Sequence, residues 1–81
     1  MELVFSERFD RSLRLAPPPV QRAFWKQAGF LLANLHHPSL RAKKYEGADD
    51  LWQARVNRDW RFYFRIIGNR YFLVDITAHP K

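Results

Sequence analysis

The chain contains no cysteine, only three glycines and no long apolar run. Without cysteine it can form neither a disulfide nor a thiolate metal site, and this composition suits a reducing cytoplasm. No segment approaches the roughly 20 consecutive apolar residues that a membrane-spanning helix needs. The opening stretch "MELVFSERFD" carries acids where a secretory signal has a basic region. These absences together predict a cytoplasmic protein with no membrane partner.

Acidic residues are also scarce. The chain has 8 Asp and Glu against 14 Lys and Arg, which gives a formal net charge of +6. Such an excess favours an anionic partner over a basic protein without one, and that partner is a nucleic acid, an acidic protein segment or a membrane surface. Apolar residues make up 47% and aromatic residues 16% of the 81-residue chain, which is enough for one modest core. A single domain spanning residues 1–81 is therefore predicted.

The first half of the chain is predicted to form one strand and two helices. The run "ELVF" is a short strand, after which the hydroxyl of Ser6 can cap a helix. Prolines 17–19 end that helix and suit the first turn of the next one. Residues 36–50 are predicted to be a connection. The second helix carries an apolar stripe at helical spacing, formed by Val20, Phe24, Ala28, Leu31 and Leu35.

The second half is predicted to be β-sheet. Three strand-like runs, "LWQARV", "WRFYFRI" and "YFLVDIT", are separated by the turn segments "NRD" and "GNR". The predicted fold class is therefore α+β, with the order β-α-α-β-β-β. Two N-terminal helices would pack on one face of a small, mostly antiparallel sheet of about four strands.

The register of the last hairpin depends on the length of its loop. A loop at positions 68–69 places Asp75 opposite Phe62, which would bring a charge onto the apolar face. A longer loop at positions 68–70 gives only apolar pairs, which are Phe62–Ile76, Phe64–Val74 and Ile66–Phe72. Because a slip of a single residue reverses every side chain, the longer loop is preferred. The same reasoning predicts a loop at positions 57–59.

The opposite face of the predicted sheet is polar and basic. It would carry Gln53, Arg55, Arg61, Tyr63, Arg65, Asp75, Thr77 and His79. Arg55 and Arg61 would lie directly opposite each other, and like charges paired across strands are destabilising. A protein that keeps such a pair is expected to use it to bind an anion. The alternative is a solvated face on which Asp75 or Glu46 neutralises the arginines.

Arginines combined with a histidine suit the cleavage of RNA by its own 2′-hydroxyl. The planar guanidinium fork fits a phosphate, and the ring of Tyr63 can stack on a base. His79 can exchange a proton at neutral pH, although a lone terminal histidine is more often a surface residue. His36 and His37 are adjacent at a helix end, but no third ligand has a suitable spacing. Neither a metal nor a cofactor is therefore expected.

From "HPSLRAKKYEGADDLWQARVNRDWRFYFRI" to "ITAHPK", the sequence resembles the RelE/ParE toxin superfamily of bacterial type II toxin–antitoxin systems. The most specific part, "SLRAKKYEG…LWQARVNRDWRFYF", is similar to the RelE, HigB and YafQ-like branch. The resemblance implies a metal-independent endoribonuclease that cleaves messenger RNA on the translating ribosome. It also implies a cognate antitoxin that inhibits the toxin by wrapping around it.

The resemblance also implies roles for individual residues. Arg61 matches the family's phosphate-binding arginine, and Arg55 matches a basic position on the preceding strand. His79 falls where related proteins have a histidine proposed as general acid or base. Gln53 stands where some relatives carry a lysine. The RNA-binding residues implied are Arg41, Lys43, Lys44, Tyr63, Arg65 and Lys81.

Two other functions stay open at the level of the sequence. A ParE-like toxin that inhibits DNA gyrase and cleaves nothing would be compatible with the same basic face, although the terminal "TAH" favours the nuclease. A catalytically degenerate relative would only bind its antitoxin.

Overall fold

The computed structural model describes residues 1–45 and 50–79. The strands are β1 (Glu2–Phe5), β2 (Lys43–Lys44), β3 (Leu51–Arg55), β4 (Trp60–Ile67) and β5 (Arg70–Ala78), and the helices are α1 (Glu7–Leu15) and α2 (Pro18–Ala33). A short 3-10 helix covers Pro38–Leu40. This α+β architecture confirms the predicted order of elements. It adds one short strand, β2, within the segment predicted to be a connection.

The strands of the described residues form a single sheet in the order β1-β5-β4-β3-β2. β1 runs parallel to β5, and the other neighbouring strands are antiparallel. The short strand β2 pairs Lys43 with Gln53 and Lys44 with Trp52, so it places two lysines at the edge of the sheet beside β3.

Both helices begin where the sequence predicts. The hydroxyl of Ser6 accepts a hydrogen bond from the amide of Phe9 at 3.0 Å and donates one to the carbonyl of Val74 at 3.0 Å. It therefore caps α1 and also ties that helix to β5. Pro17 and Pro18 stand at the start of α2, where a missing amide donor costs nothing. No helix among residues 1–45 and 50–79 combines the length and apolar character needed to cross a membrane.

The core lies between the two helices and one face of the sheet. Phe24 of α2 meets Phe62 of β4 edge to face, with ring centroids 5.3 Å apart and planes at 88°. Phe64 packs beside Phe62 and is fully buried. The other large side chains with almost no exposure are Phe9, Leu31, Leu40, Leu73 and Ile76. The polar face that carries Arg61 lies on the opposite side of β4, as predicted.

The predicted register of the β4–β5 hairpin is correct at one end and wrong at the other. Phe62 pairs with Ile76 as predicted, but Phe64 pairs with Leu73 rather than with Val74. The register shifts between these pairs, so that Val74 is an extra residue on β5 and forms a β-bulge. The turn is the shorter one, because Ile67 pairs with Arg70.

Glycine explains why the shorter turn forms. Gly68 has a φ of 59°, a conformation that glycine adopts without strain at the first position of such a turn. In consequence Tyr71 is buried, and Phe72, predicted to face the helices opposite Ile66, is exposed. Val74 is only partly buried. The bulge then restores the predicted pairing toward the end of the strand and keeps Asp75 off the apolar face.

Candidate anion-binding site

The loop between β3 and β4 sets the geometry of the site. The side-chain oxygen of Asn57 accepts hydrogen bonds from the amides of Asp59 and Trp60, each at 2.9 Å. The amide of Val56 donates to the carbonyl of Trp60 at 3.0 Å, which closes the predicted loop at positions 57–59. Arg55 therefore pairs with Arg61 across the two strands, and the predicted opposition of these two arginines is confirmed.

The guanidinium of Arg61 is oriented by its own loop. Its Nη1 donates hydrogen bonds to the carbonyl oxygens of Asn57 at 2.8 Å and Trp60 at 2.9 Å. Partial burial lowers the pKa of Arg61, and the charges of Arg55 and Arg41 lower it further, while Asp59 acts in the opposite direction. Arginine remains protonated at neutral pH despite this shift. A bound anion would offset, through its attraction for the guanidinium groups, both the cost of desolvation and the repulsion between them.

These arginines belong to a pocket of about 250 Å³ on the open face of the sheet. Its lining consists of Arg41, Lys43, Gln53, Arg55, Arg61 and His79, with no carboxylate among them. His79 is exposed, and its amide donates to the carbonyl of Asp59 at 2.6 Å, which anchors the end of β5 to the β3–β4 loop. The structure thus brings together five of the nine predicted site residues. We call this group of six lining residues the arginine pocket.

The remaining predicted residues lie around the arginine pocket or outside the described structure. Lys44 lines an adjoining surface pocket of about 430 Å³ with Lys43, Tyr45 and Gln53. Tyr63 meets Tyr45 edge to face, with ring centroids 5.8 Å apart. Arg65 lies farther along β4, where it pairs with Leu51 of β3. Lys81 and Glu46 lie outside the described residues.

The carboxylate of Asp75 has other partners than the arginine pocket. One of its oxygens accepts a hydrogen bond from the hydroxyl of Ser12 at 2.7 Å, and the other lies 3.1 Å from Nε of Arg8. Both partners belong to α1, which packs beside β5. The alternative in which Asp75 neutralises Arg55 and Arg61 is therefore wrong.

Gln27 supports the site from behind, and the sequence reasoning missed it. Its Nε2 donates to the carbonyl oxygens of Arg55 at 2.8 Å and Ser39 at 3.0 Å, while its Oε1 accepts from the hydroxyl of Ser39 at 2.9 Å. The side chain is buried, so these bonds fix β3 and the 3-10 helix to α2. A signal was present, because Gln27 lies three residues after Phe24 and four before Leu31, on the buried stripe.

The backbone of Arg41 and the ring of His37 bear on whether an anion or a metal ion can bind. Arg41 has a φ of 47°, a left-handed conformation that is strained for a residue other than glycine or asparagine. The ring of His37 stacks on Phe30 at 3.9 Å, and its Nδ1 accepts a hydrogen bond from the amide of Ser39 at 3.2 Å. Within residues 1–45 and 50–79, no group of three or more His, Asp or Glu side chains is arranged to hold a metal ion.

No protein-family model matches the sequence, and none of the curated proteins matches it significantly. Solved structures do match. The YoeB/ParE toxin from Agrobacterium tumefaciens superposes with a TM-score of 0.82 at 14% identity, over 99% of this chain and 100% of that chain. A chain of the archaeal RelE–RelB complex from Pyrococcus horikoshii gives a TM-score of 0.80 at 16% identity, over 99% and 96%.

The isolated RelE toxin from E. coli superposes with a TM-score of 0.77 at 18% identity, over 98% of this chain and 84% of that chain. Similarity of this extent at such low identity establishes the fold. The described helices and the mostly antiparallel sheet therefore share the fold of these YoeB/ParE and RelE structures, which is the fold that the sequence resemblance predicts.

Proposed function

We propose that this chain is the toxin of a type II toxin–antitoxin system and cleaves messenger RNA on the translating ribosome in the cytoplasm. The observation that carries the proposal is the arginine pocket, in which three arginines, a lysine and a histidine converge without a lining carboxylate. Such a pocket suits a phosphate diester, because forked guanidinium groups bind its oxygens. Asp59 acts on Arg61, but its carboxylate is not part of the lining.

In the proposed reaction, Arg61 and Arg55 bind the scissile phosphate. Negative charge increases on the phosphorus-bound oxygens as the pentacoordinate state forms, so the contribution of these donors is greatest there. Arg61 is already held by the carbonyl oxygens of Asn57 and Trp60, which reduces the reorganisation needed on binding. Arg41 and Lys43 add further positive charge at the same pocket.

The proton transfers fall to His79. A base removes the proton of the 2′-hydroxyl, the 2′-oxygen attacks the phosphorus, and the bond from phosphorus to the 5′-oxygen breaks. An acid protonates that 5′-oxygen, which leaves a 2′,3′-cyclic phosphate and a 5′-hydroxyl. His79 lines the pocket with Arg61 and performs one of the two transfers. Lys44, Tyr63, Arg65 and Lys81 would contact the RNA on either side of the cleaved bond.

A second candidate function is inhibition of DNA gyrase without cleavage. It is favoured by one observation, the high structural similarity to a protein described as a YoeB/ParE toxin. A third is binding of an antitoxin by an inactive chain. The described face is compatible with all three, and the placement of His79 beside two opposed arginines favours the nuclease.

Controlled expression followed by primer extension on a translated message separates these functions. Cuts in phase with codons support the nuclease. Growth arrest with intact messages and blocked DNA supercoiling supports the gyrase inhibitor. Normal growth, intact messages and retained antitoxin binding would assign the chain to the inactive class.

The antitoxin is proposed to be an acidic segment with apolar residues that folds on this basic chain. Similar folds occur in solved complexes, among them RelB–RelE from Methanococcus jannaschii and DinJ–YafQ from E. coli. Attraction between opposite charges speeds association and is screened by salt. We expect the association rate to fall as salt rises from about 50 mM to about 500 mM, a range over which the screening length shortens several-fold. A rate that stays constant would contradict this electrostatic part.

A further inference from the structure

A second basic cleft adjoins the arginine pocket on the side of α2. It has a volume of about 590 Å³ and is open to solvent. Four of its lining residues are cationic, namely Lys26, Arg41, Arg55 and Arg58, and none is acidic. Arg41 and Arg55 also line the arginine pocket, so the two concave surfaces are continuous through these two side chains. Lys26 and Arg58 have no role in the proposed cleavage.

The walls of this cleft are fixed relative to one another. α2, the 3-10 helix and the end of β3 meet at Gln27, whose amide bonds to the carbonyl oxygens of Ser39 and Arg55. Gln27 is only 4% exposed, so these bonds are shielded from water. A cleft whose walls are already bonded together loses little conformational freedom when a ligand binds.

We propose that this cleft binds a second phosphate of the same single-stranded RNA, one that neighbours the scissile phosphate, through Lys26 and Arg58. The inference extends the proposed function and rests on it for the identity of the polyanion. A strand with a charge at every nucleotide can occupy both pockets at once, whereas an isolated anion fills only one. Arg41 and Arg55 lie between the two phosphates and contact both.

The lining favours RNA over an acidic protein segment. A peptide that folds on a surface buries apolar side chains, and the apolar part of this lining is limited to Ala23, Pro38 and the buried Val56. The large exposed apolar residues of α2, Trp25 and Leu32, lie outside the cleft. Phosphate binding needs only the donors and charges that the cleft supplies.

The backbone at Arg41 supports the same placement. A left-handed φ of 47° at an arginine is maintained against strain, and such strain concentrates at ligand sites. This conformation holds the side chain of Arg41 where the two pockets join.

The test measures the salt dependence of RNA binding. The probe is a fluorescein-labelled oligouridine of about twelve nucleotides, within the site sizes of single-strand binders. Affinity is measured by anisotropy over a series of KCl concentrations, and each phosphate contact contributes about 0.7 to the slope of log K against log salt. The double variant K26A/R58A is expected to reduce the magnitude of that slope by about 0.7, through the loss of the second phosphate.

The matched control is the double variant R11A/R22A. It removes the same charge from exposed positions on α1 and α2 that line neither cleft. We expect its slope to equal that of the unmutated protein. Equal changes in both double variants would mean that net charge alone is responsible and would overturn the inference. Thermal unfolding of each variant checks that the fold is kept, since all four residues are exposed.

Two further measurements separate this inference from the proposed function. Cleavage on programmed ribosomes is measured for the same variants. If the unmutated protein cleaves nothing but K26A/R58A still reduces the slope, the second phosphate site stands and the nuclease fails. If the protein cleaves and K26A/R58A changes neither slope nor KM, the site fails alone. Binding of a labelled oligoglutamate that depends on Lys26 and Arg58, without such dependence for oligouridine, would assign the cleft to an acidic protein.

Discussion

The sheet carries two clusters of charge that are built in opposite ways. Beside α1, Asp75 of β5 accepts a hydrogen bond from Ser12 and pairs with Arg8, so that charge and donors are matched within the chain. At the β3–β4 end, Arg55 opposes Arg61, and Arg41 lines the same pocket. The first cluster is complete by itself. The second keeps repulsion between arginines in the folded chain, and we propose that a bound anion offsets it.

The largest loss of cleavage activity is expected from His79→Gln, in the arginine pocket. Losing an acid or base lowers cleavage by about 10²–10⁴-fold and removes one limb of the pH–rate profile, while RNA affinity is nearly kept because no fixed charge is lost. Single-turnover cleavage on programmed ribosomes across a pH series measures both effects. His36→Gln, at an exposed position beyond α2, is the control. Full activity in His79→Gln would remove the histidine from the mechanism.

The core side chains on the helix-covered face of the sheet support both charge clusters. A substitution there is therefore expected to destabilise the whole fold and not one cluster alone. Phe64→Ala is expected to lower the free energy of unfolding by about 3–5 kcal/mol, through lost burial and an added cavity. Phe72 precedes Leu73, the β5 partner of Phe64, and is exposed. Phe72→Ala should therefore lower the free energy of unfolding far less. Chemical denaturation of both variants measures the difference. Similar losses in the two would contradict the register of β5 described above.

Arg61→Ala tests whether the repelling cluster acts on a phosphate. Loss of a forked donor to the developing charge is expected to lower cleavage by about 10²–10³-fold, at every pH measured. Arg61→Lys keeps the charge but lacks the fork, so it should recover only part of the rate. Arg8→Ala removes an arginine from the matched cluster and serves as the control. An unchanged cleavage rate in Arg61→Ala would contradict the proposed binding of the scissile phosphate by the Arg55–Arg61 cluster.

Gln27→Leu tests whether the arginines depend on support from α2. The change leaves the carbonyl oxygens of Ser39 and Arg55 without their donor, which is expected to cost about 1–3 kcal/mol of unfolding free energy. Cleavage should fall beyond what the lost stability explains, with KM raised more than kcat is lowered, because Arg41 and Arg55 shift. Activity measured well below the unfolding temperature separates the two effects. Unchanged KM would limit Gln27 to a role in stability.

The smallest effects are expected in the matched cluster. Arg8→Ala should change the unfolding free energy by no more than about 1 kcal/mol, because its side chain is 74% exposed and solvent screens the pair. Asp75→Ala also removes the acceptor of Ser12 and should cost about 1–3 kcal/mol. Denaturation curves give both values. Neither variant should alter the dependence of RNA affinity on salt concentration. An altered dependence would mean that Arg8 or Asp75 also contributes to RNA binding.

Local sequence patterns suffice for much of the fold and part of the site. The alternation of "WRFYFRI" and the short loop before it place Arg61 opposite Arg55 and Phe62 on the covered face. The bulge at Val74 is different. The shorter loop gives the correct pairs near the turn, and the longer loop gives the correct pairs near the strand ends. A register without a bulge is therefore wrong for one half of the hairpin. Only the packing of the complete sheet decides where the shift occurs.

The missing parts of the site depend on contacts between distant segments. The pairing of Asp75 with Arg8 and Ser12 depends on where α1 crosses β5, which no local periodicity specifies. Lys26 and Arg58 belong to separate elements and share a cleft only because α2 packs beside the end of β3. The sequence contains the residues of this cleft but no pattern that joins them.

The bulge at Val74 has a consequence for how such a chain can change in length over evolution. A deletion within a strand ordinarily reverses the facing of all residues beyond it. Here the deletion of Val74 would leave an uninterrupted alternation, in which Ile76 still faces the core and His79 still faces the open side. One residue can thus be gained or lost at this point while the residues at the end of the strand keep their facing. The length of the β4–β5 hairpin near its turn can therefore change without altering which residues face the arginine pocket at its other end.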